Sequence, residues 1–321
     1  MKKILLTATA LSALTASAFA ADLPSRKEPV VPPPPPLIWT GFYAGVNVGG
    51  TVDASSNNYV ANGPVDLDSF GRRISALGSA ASAAAAAAGT AYPGTNNSGF
   101  IGGGQVGYNY QFGAYTGPAR SWVVGIEADI QGVTGTGGGT NILQGTALSS
   151  PPYRSGAIGA ETYASKSLDY IGTVRGRIGA LINPALLVYA TGGLAYGGAN
   201  SNTNQFEFGT ARAFGPFLTP AWSYAGSYSD TRIGWTAGAG LEWMFWSNWS
   251  LKFEYLYYDL GSVTYSDGIA GSSINVGRRV AGQTLFLNGA YTSAQFNGHI
   301  FRAGVNYHFN WAAPAPVLAK Y

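Results

Sequence analysis

The chain has 321 residues, no cysteine and a formal net charge of +3, and only 10% of it is charged, against about 25% in an ordinary soluble domain. The absence of cysteine excludes thiolate metal sites and cysteine nucleophiles. The near-neutral balance lacks the basic footprint of a nucleic-acid binder, so no nucleic acid is expected as a partner.

The chain opens MKKILLTATALSALTASAFA. Lys2 and Lys3 form a basic head, Ile4 to Ala16 is an apolar stretch too short to span a bilayer comfortably, and Ala18-Phe19-Ala20 is a small-residue cleavage site. Residues 1–20 therefore read as a secretory signal peptide cut between Ala20 and Ala21, and its loss takes two lysines, lowering the formal charge from +3 to +1. No later stretch offers the roughly twenty consecutive apolar residues of a membrane helix. An exported, charge-poor, aromatic-rich chain of this kind can enter a membrane as strands. Residues 21–38 follow as a periplasmic lead in which Pro32 to Pro36 forms a stiff polyproline spacer.

From Trp39 onward, apolar residues alternate with small or polar ones, the period of a strand. Eight such segments occur, at 42–50, 105–112, 122–132, 168–179, 186–197, 232–245, 249–258 and 299–309. Three joins are short: GAYTGPARS, Asn183-Pro184 and Ser247-Asn248. The other four, about 51–98, 133–165, 199–229 and 262–296, are long. Short turns on one side and long loops on the other are the arrangement of bacterial membrane barrels, with periplasmic turns and extracellular loops. The fold expected is all-β, an eight-stranded antiparallel transmembrane β-barrel over residues 39–309, both chain ends in the periplasm. QFEFG (205–209) and QTLFLNG (283–289) alternate too, either as hairpins raised above the membrane or as an extra strand pair making ten.

The two faces of each strand differ in a telling way. The less apolar face carries Gly, Ala and Thr with a few charges, poor material for a wetted surface but suited to a confined lumen that side chains fill. The expected lumen network is Glu127, Asp129, Asp169, Arg175, Arg177, Glu242, Lys252, Glu254 and Arg302, five acids against four bases. Such charges need partners when buried. The bulky face then meets lipid, with Trp39, Trp122, Trp235, Trp243, Trp249, Tyr255, Tyr257, Tyr307 and Phe309 as aromatic girdles near strand ends.

Several stretches hint at chemistry. Gly102 to Gly107 fits G-x-G-x-x-G but runs on into a strand, whereas a dinucleotide site opens a helix. The two histidines, His299 and His308, are isolated in sequence, so no metal site is expected. A hydrolytic triad on His308 would need a nucleophile and an acid that the sequence does not identify. The run at 75–90 is rich in alanine and reads as a short helix on the first loop or as low complexity. No catalysis and no cofactor are expected.

WTGFYAGVNVGG after a proline-rich lead, GTVRGRIGALINPALLVYATGGLAYG, WSLKFEYLYYDLG and the closing RAGVNYHF together resemble the porin-like outer-membrane surface-antigen barrels of alphaproteobacteria. The transmembrane part is similar in type to OmpA. The resemblance covers the strands and not the loops. It implies location in the cell outer membrane and an envelope-integrity and surface-antigen role. The partners that go with such a role are outer-membrane lipid and lipopolysaccharide, the barrel-assembly machinery, and host or surface ligands at the loops. The alternative is a narrow porin-like diffusion channel for small solutes or ions. One departure is the segment NWAAPAPVLAKY after Phe309, a periplasmic tail (310–321), so the terminal aromatic read during assembly is either Phe309 or Tyr321.

Overall fold

The computed structural model describes residues 38–55, 58–68, 76–96, 98–113, 116–135, 137–148, 155–212, 217–218, 221–273 and 284–309. The signal peptide, nearly all of the proline-rich lead and the tail after Phe309 lie outside the described residues. Twelve antiparallel strands form the sheet: β1 (Gly41–Asp53), β2 (Tyr59–Asp68), β3 (Thr95–Asn96), β4 (Gly99–Phe112), β5 (Trp122–Thr134), β6 (Gly138–Ala147), β7 (Ser155–Asn183), β8 (Leu186–Arg212), β9 (Phe217–Leu218), β10 (Ala221–Trp246), β11 (Trp249–Ser273) and β12 (Thr284–Phe309). Among the described residues one helix, α1 (Ala76–Gly89), lies between β2 and β3.

From β1 the ladders run through β4, β5, β7, β8, β10, β11 and β12, and β12 pairs β1 again. The circuit leaves no open edge among these strands at the level of their shared registers, so backbone groups there are paired without water. Each sequence segment read as a strand falls within one member of it. The GGGQVG run lies inside β4, as the strand reading requires.

The long joins are mostly not loops. Strands β7, β8, β10, β11 and β12 run 25 to 29 residues, far beyond the alternating cores. QFEFG extends β8 and QTLFLNG overlaps the start of β12, so neither is a separate hairpin. Strand β2 is added to β12 and strand β6 to β7 at that end. The alanine-rich run is α1, packed against β2, β12, β7 and β6 instead of lying on the surface. Ala81, Ser82, Ala84, Ala85, Ala86 and Ala88 are buried while Ala83 and Ala87, one turn apart, are exposed. Small side chains let a helix lie that close to strands on several sides.

The exposed face of a single strand changes character along its length. On β10, Ile233, Trp235, Ala237, Ala239, Leu241, Trp243 and Phe245 form an apolar band, and Ser223, Ser227, Ser229 and Thr231 continue the same face beyond it. Asn202 and Asn204 on β8, and Ser262 and Thr264 on β11, mark the same change. From Ile233 to Phe245 the band covers 13 residues, enough for the roughly 9–11 tilted residues a membrane strand needs.

Two of the register shifts show how the inward set is reset. Between Leu168 and Ile171 the β7–β8 register shifts, so both of these are buried and Asp169 between them is exposed. An extra residue in one strand inverts the alternation beyond it. Asp169, expected in the interior from unbroken alternation, is therefore an outer-face residue. The second shift, between Asp259 and Ser262, turns Leu260 and Val263 both inward around Gly261, whose φ of 78° suits glycine.

Candidate functional site

The interior is stacked in layers. At the short-turn end, Trp39, Val123, Leu181, Leu187, Tyr189 and Met244 form an apolar floor. Trp39 is fully buried, and so leaves the expected girdle: its indole N–H donates to the Pro184 carbonyl at 3.0 Å, and the ring packs edge-on to His308 with centroids 5.7 Å apart. Parity carried the signal, since Trp39 is in step with the inward Tyr43 and Asn47. The other expected girdle residues do face outward. Trp122, Trp235, Trp243, Trp249, Tyr255 and Tyr307 are exposed, and Tyr257 and Phe309 are half-buried.

Above the floor lies the charged layer. Arg175 donates to Glu254 Oε1 at 3.0 Å, Glu127 Oε1 at 2.5 Å and Asp129 Oδ2 at 2.9 Å. Arg302 donates to Asp129 Oδ2 at 2.9 Å and to Glu254 Oε2 at 2.8 and 2.5 Å. Arg177 reaches Glu242 Oε2 at 3.0 Å, and Lys252 reaches both oxygens of Glu127 at 2.8 and 3.0 Å. With Asp169 outside, four acids meet four bases, and each of the eight is at most 5% exposed. Exact balance is what a buried charge layer needs, because an unpaired ion there costs several kcal/mol.

Polar side chains that carry no charge complete this layer. Tyr43 donates to Glu127 Oε2 at 2.6 Å and Tyr189 to Glu254 Oε1 at 2.9 Å. The Arg177 guanidinium lies 4.5 Å over the Tyr43 ring and 5.3 Å over Tyr189, close enough for cation–π attraction. Asn109 accepts from Arg177, Thr173 donates to Asp129, and Asn306 donates to Glu242. Thus every strand of the circuit contributes to the layer. A Cβ on Gly240 would sit 2.6 Å from Tyr189 Cζ, so that glycine is the space the ring occupies. Charge alone pointed to the ionic members; Tyr43, Tyr189, Asn109 and Asn306 could be found only by following parity through them.

His308 does acquire the partners that the sequence could not name. Its Nε2 lies 2.8 Å from Ser250 Oγ, and Ser250 donates to Glu242 Oε1 at 2.5 Å. Glu242 Oε1 is also 3.4 Å from the same Nε2. Acid and hydroxyl thus address one imidazole nitrogen, whereas a catalytic triad places the acid on the other nitrogen. Ser250 is fully buried, so no substrate reaches it in this arrangement. His299 instead sits half-buried on the outer face, stacked on Tyr255, with its Nδ1 2.8 Å from the Tyr255 hydroxyl.

A second apolar layer, built from Ile101, Leu168, Ile171, Leu256, Tyr258, Leu260, Phe296 and Ile300 among others, covers the charges on the far side. Beyond it is a polar mouth. There Lys166 pairs with Asp53 at 2.8 Å, and Glu207 and Asp267 are buried under α1 and along the upper strands. Among the described residues no group of three or more His, Cys, Asp or Glu side chains is placed to hold a metal ion.

A circuit of antiparallel strands with an apolar belt outside and charge inside is the build of an outer-membrane β-barrel, and comparison with known proteins agrees. The family model for the outer membrane protein beta-barrel domain matches residues 6–309, and the chain belongs to that family. It is similar to the 31 kDa outer-membrane immunogenic proteins of Brucella melitensis and Brucella suis, at 31% identity over 96% of this chain and 100% of theirs. The 22 kDa outer membrane protein of Rhizobium leguminosarum is 28% identical over 54% of this chain and 64% of its own length. Among solved structures, OprG of Pseudomonas aeruginosa aligns over 84% of this chain and 96% of its own, at 11% identity and a TM-score of 0.34. The protein is an outer-membrane β-barrel protein and resides in the cell outer membrane.

Proposed function

We propose that the eight strands of the circuit form a transmembrane barrel closed to solute flow, whose work is to stabilise the envelope and to present its extended extracellular end as a surface antigen. The carrying observation is the balanced layer of four acids and four bases, none more than 5% exposed, to which every strand of the circuit adds a charged or polar side chain. Eight strands leave a bore that side chains can fill, and here apolar layers lie on both sides of the charges. Lipid and lipopolysaccharide surround the belt in this reading, and the barrel-assembly machinery inserts it after the signal peptide is removed. Host or surface ligands meet the upper strands. No catalytic step enters, since the Ser250–His308–Glu242 cluster is sealed and wrongly arranged for proton relay.

The test is single-channel recording of the purified protein in planar bilayers. The expected record is flat at rising potassium chloride concentration. Discrete steps that scale with salt would replace this reading with that of a narrow diffusion channel.

A further inference from the structure

The mouth contains two carboxyls that nothing neutralises. Glu207 on β8 is fully buried and Asp267 on β11 is 2% exposed, and neither belongs to an ion pair among the described residues. Glu207 Oε1 accepts from the Tyr224 hydroxyl at 2.7 Å and from Asn288 Nδ2 at 2.8 Å; its Oε2 has no hydrogen bond of ordinary geometry, and the nearby Trp222 indole only partly offsets its burial. Asp267 Oδ2 accepts from Thr292 at 2.7 Å, and its Oδ1 has none. Both lie well past the apolar band of their strands, where the outer faces are mixed: Asn204, Phe206 and Phe208 on β8, Ser266 and Ile269 on β11.

Each carboxyl sits at a joint between elements. Glu207 lies under the C-terminal end of α1: a Cβ on Gly89 would collide with Glu207 Oε1 and with Asn62, and the Gly89 carbonyl is held by Gln205 Nε2 at 2.6 Å. That end of a helix carries partial negative charge, which repels a carboxylate. Asp267 lies on a seam. The β10–β11 ladder ends at Trp235 and Asp259, although β10 continues to Ala221 and β11 to Ser273. Across the unladdered stretch, Arg232 donates to the Ser262 carbonyl at 3.2 Å, the Tyr228 and Tyr265 rings stack at 6.4 Å, and Gly226 abuts Asp267.

We propose that Glu207 and Asp267 form a proton-operated closure of the mouth: protonated, they keep α1 seated and the β10–β11 seam shut, and their ionisation loosens both.

The physical reason is desolvation, which penalises a buried carboxylate unless a cation repays it. Burial pushes Glu207 up to about 7 and Asp267 up to about 6, against the ordinary carboxylate range. The titratable neighbours are phenols, Tyr224 beside Glu207 and Tyr265 near Asp267, and both are raised by burial and so stay neutral. The described length of α1 has no charged residue, nor has β6. On β2 the acids are Asp66 and Asp68, toward its end, where Leu67 pairs with Phe286 and Asp68 with Leu285. On β7, Lys166 is committed to Asp53 and Glu161 is exposed; on β10, Asp230 is exposed and Arg232 holds carbonyls of β11. On β8, Arg212 lies at the Ser155 register, five residues beyond Glu207. On β12, the titratable groups toward this end are Tyr291, exposed at the register of Ser266, and His299, on the outer face. Since both carboxyls are raised in the closed form, closure is at full strength below their ordinary values and is lost as pH rises through about 6 and then 7.

Hydrogen exchange of the full chain in detergent micelles between pH 5 and pH 8, with times scaled for the intrinsic exchange rate, tests this. Protection of the α1 amides, and of the upper β10 and β11 amides, is expected to fall by about tenfold for each unit by which a carboxyl is displaced. Glu207→Gln should hold α1 protection flat with pH, and Asp267→Asn should do the same for the seam, while amides in the belt of each strand stay constant and report that the barrel is folded. Protection of α1 and the seam that does not vary with pH in the native chain would overturn the proposal. So would a pH dependence that survives in the double variant.

Discussion

The ammonium of Lys252 lies 2.8 Å from Glu127 Oε1, although Lys252 is on β11 and Glu127 on β5, strands that stand opposite each other in the circuit with three strands between them either way. Two side chains therefore span the bore, and their ionic contact ties one wall to the other.

Breaking that contact leaves Glu127 short of one cation in a dry interior. Lys252→Met should destabilise the barrel by about 3–5 kcal/mol, the usual cost of removing one partner of a buried pair. Urea unfolding followed by the heat-dependent shift in gel mobility measures it. Because Glu127 also meets Arg175, combining Lys252→Met with Glu127→Gln should show a coupling of about 0.5–3 kcal/mol.

Trp39 and Trp243 separate the floor from the girdle. Trp39→Ala empties a fully buried site and should cost about 3–5 kcal/mol in the same unfolding assay. Trp243, half exposed on the outer face, should cost clearly less. Equal losses would put Trp39 on the lipid side after all.

The bulge at Leu168 and Ile171 can be read by chemistry, since the native chain has no cysteine. In whole cells a membrane-impermeant maleimide should label Asp169→Cys and leave Thr173→Cys unlabelled. Asp169 is exposed on the outer side of the bulge, and Thr173, four residues on, is 1% exposed inside. Labelling of neither would place this end in the periplasm.

Helix α1 should fail independently of the wall. Ala85 is fully buried, so Ala85→Leu overpacks the mouth by about 1–3 kcal/mol. Trypsin and proteinase K should then cut the segment between β2 and β3 in intact cells, while the gel shift of the folded barrel persists.

Much of this architecture is legible in the alternation of residues. The circuit strands, the apolar outer face and the pairing of Glu127, Asp129, Arg175, Arg177, Glu242, Lys252, Glu254 and Arg302 follow from period two together with the cost of an unpaired buried charge. Alternation fails where a residue is added. Asp169 looked inward because nothing in LDYIGTV announces a bulge, and the shift arises only when β7 meets β8 in register. Trp39 was assigned by residue type, as an interfacial aromatic, although its parity placed it indoors.

The chain by itself determined that strands would close on a charged interior and turn an apolar band outward, because each strand's two faces differ chemically and an unpaired edge in lipid is not tolerated. Tertiary structure decided how far those strands continue past the membrane, where two bulges invert them, and that an alanine-rich segment becomes a helix wedged into the mouth. These depend on which distant segments meet: Ala85 carries no polarity to read, and Glu207 and Asp267 are left without a cation only because of what packs around them.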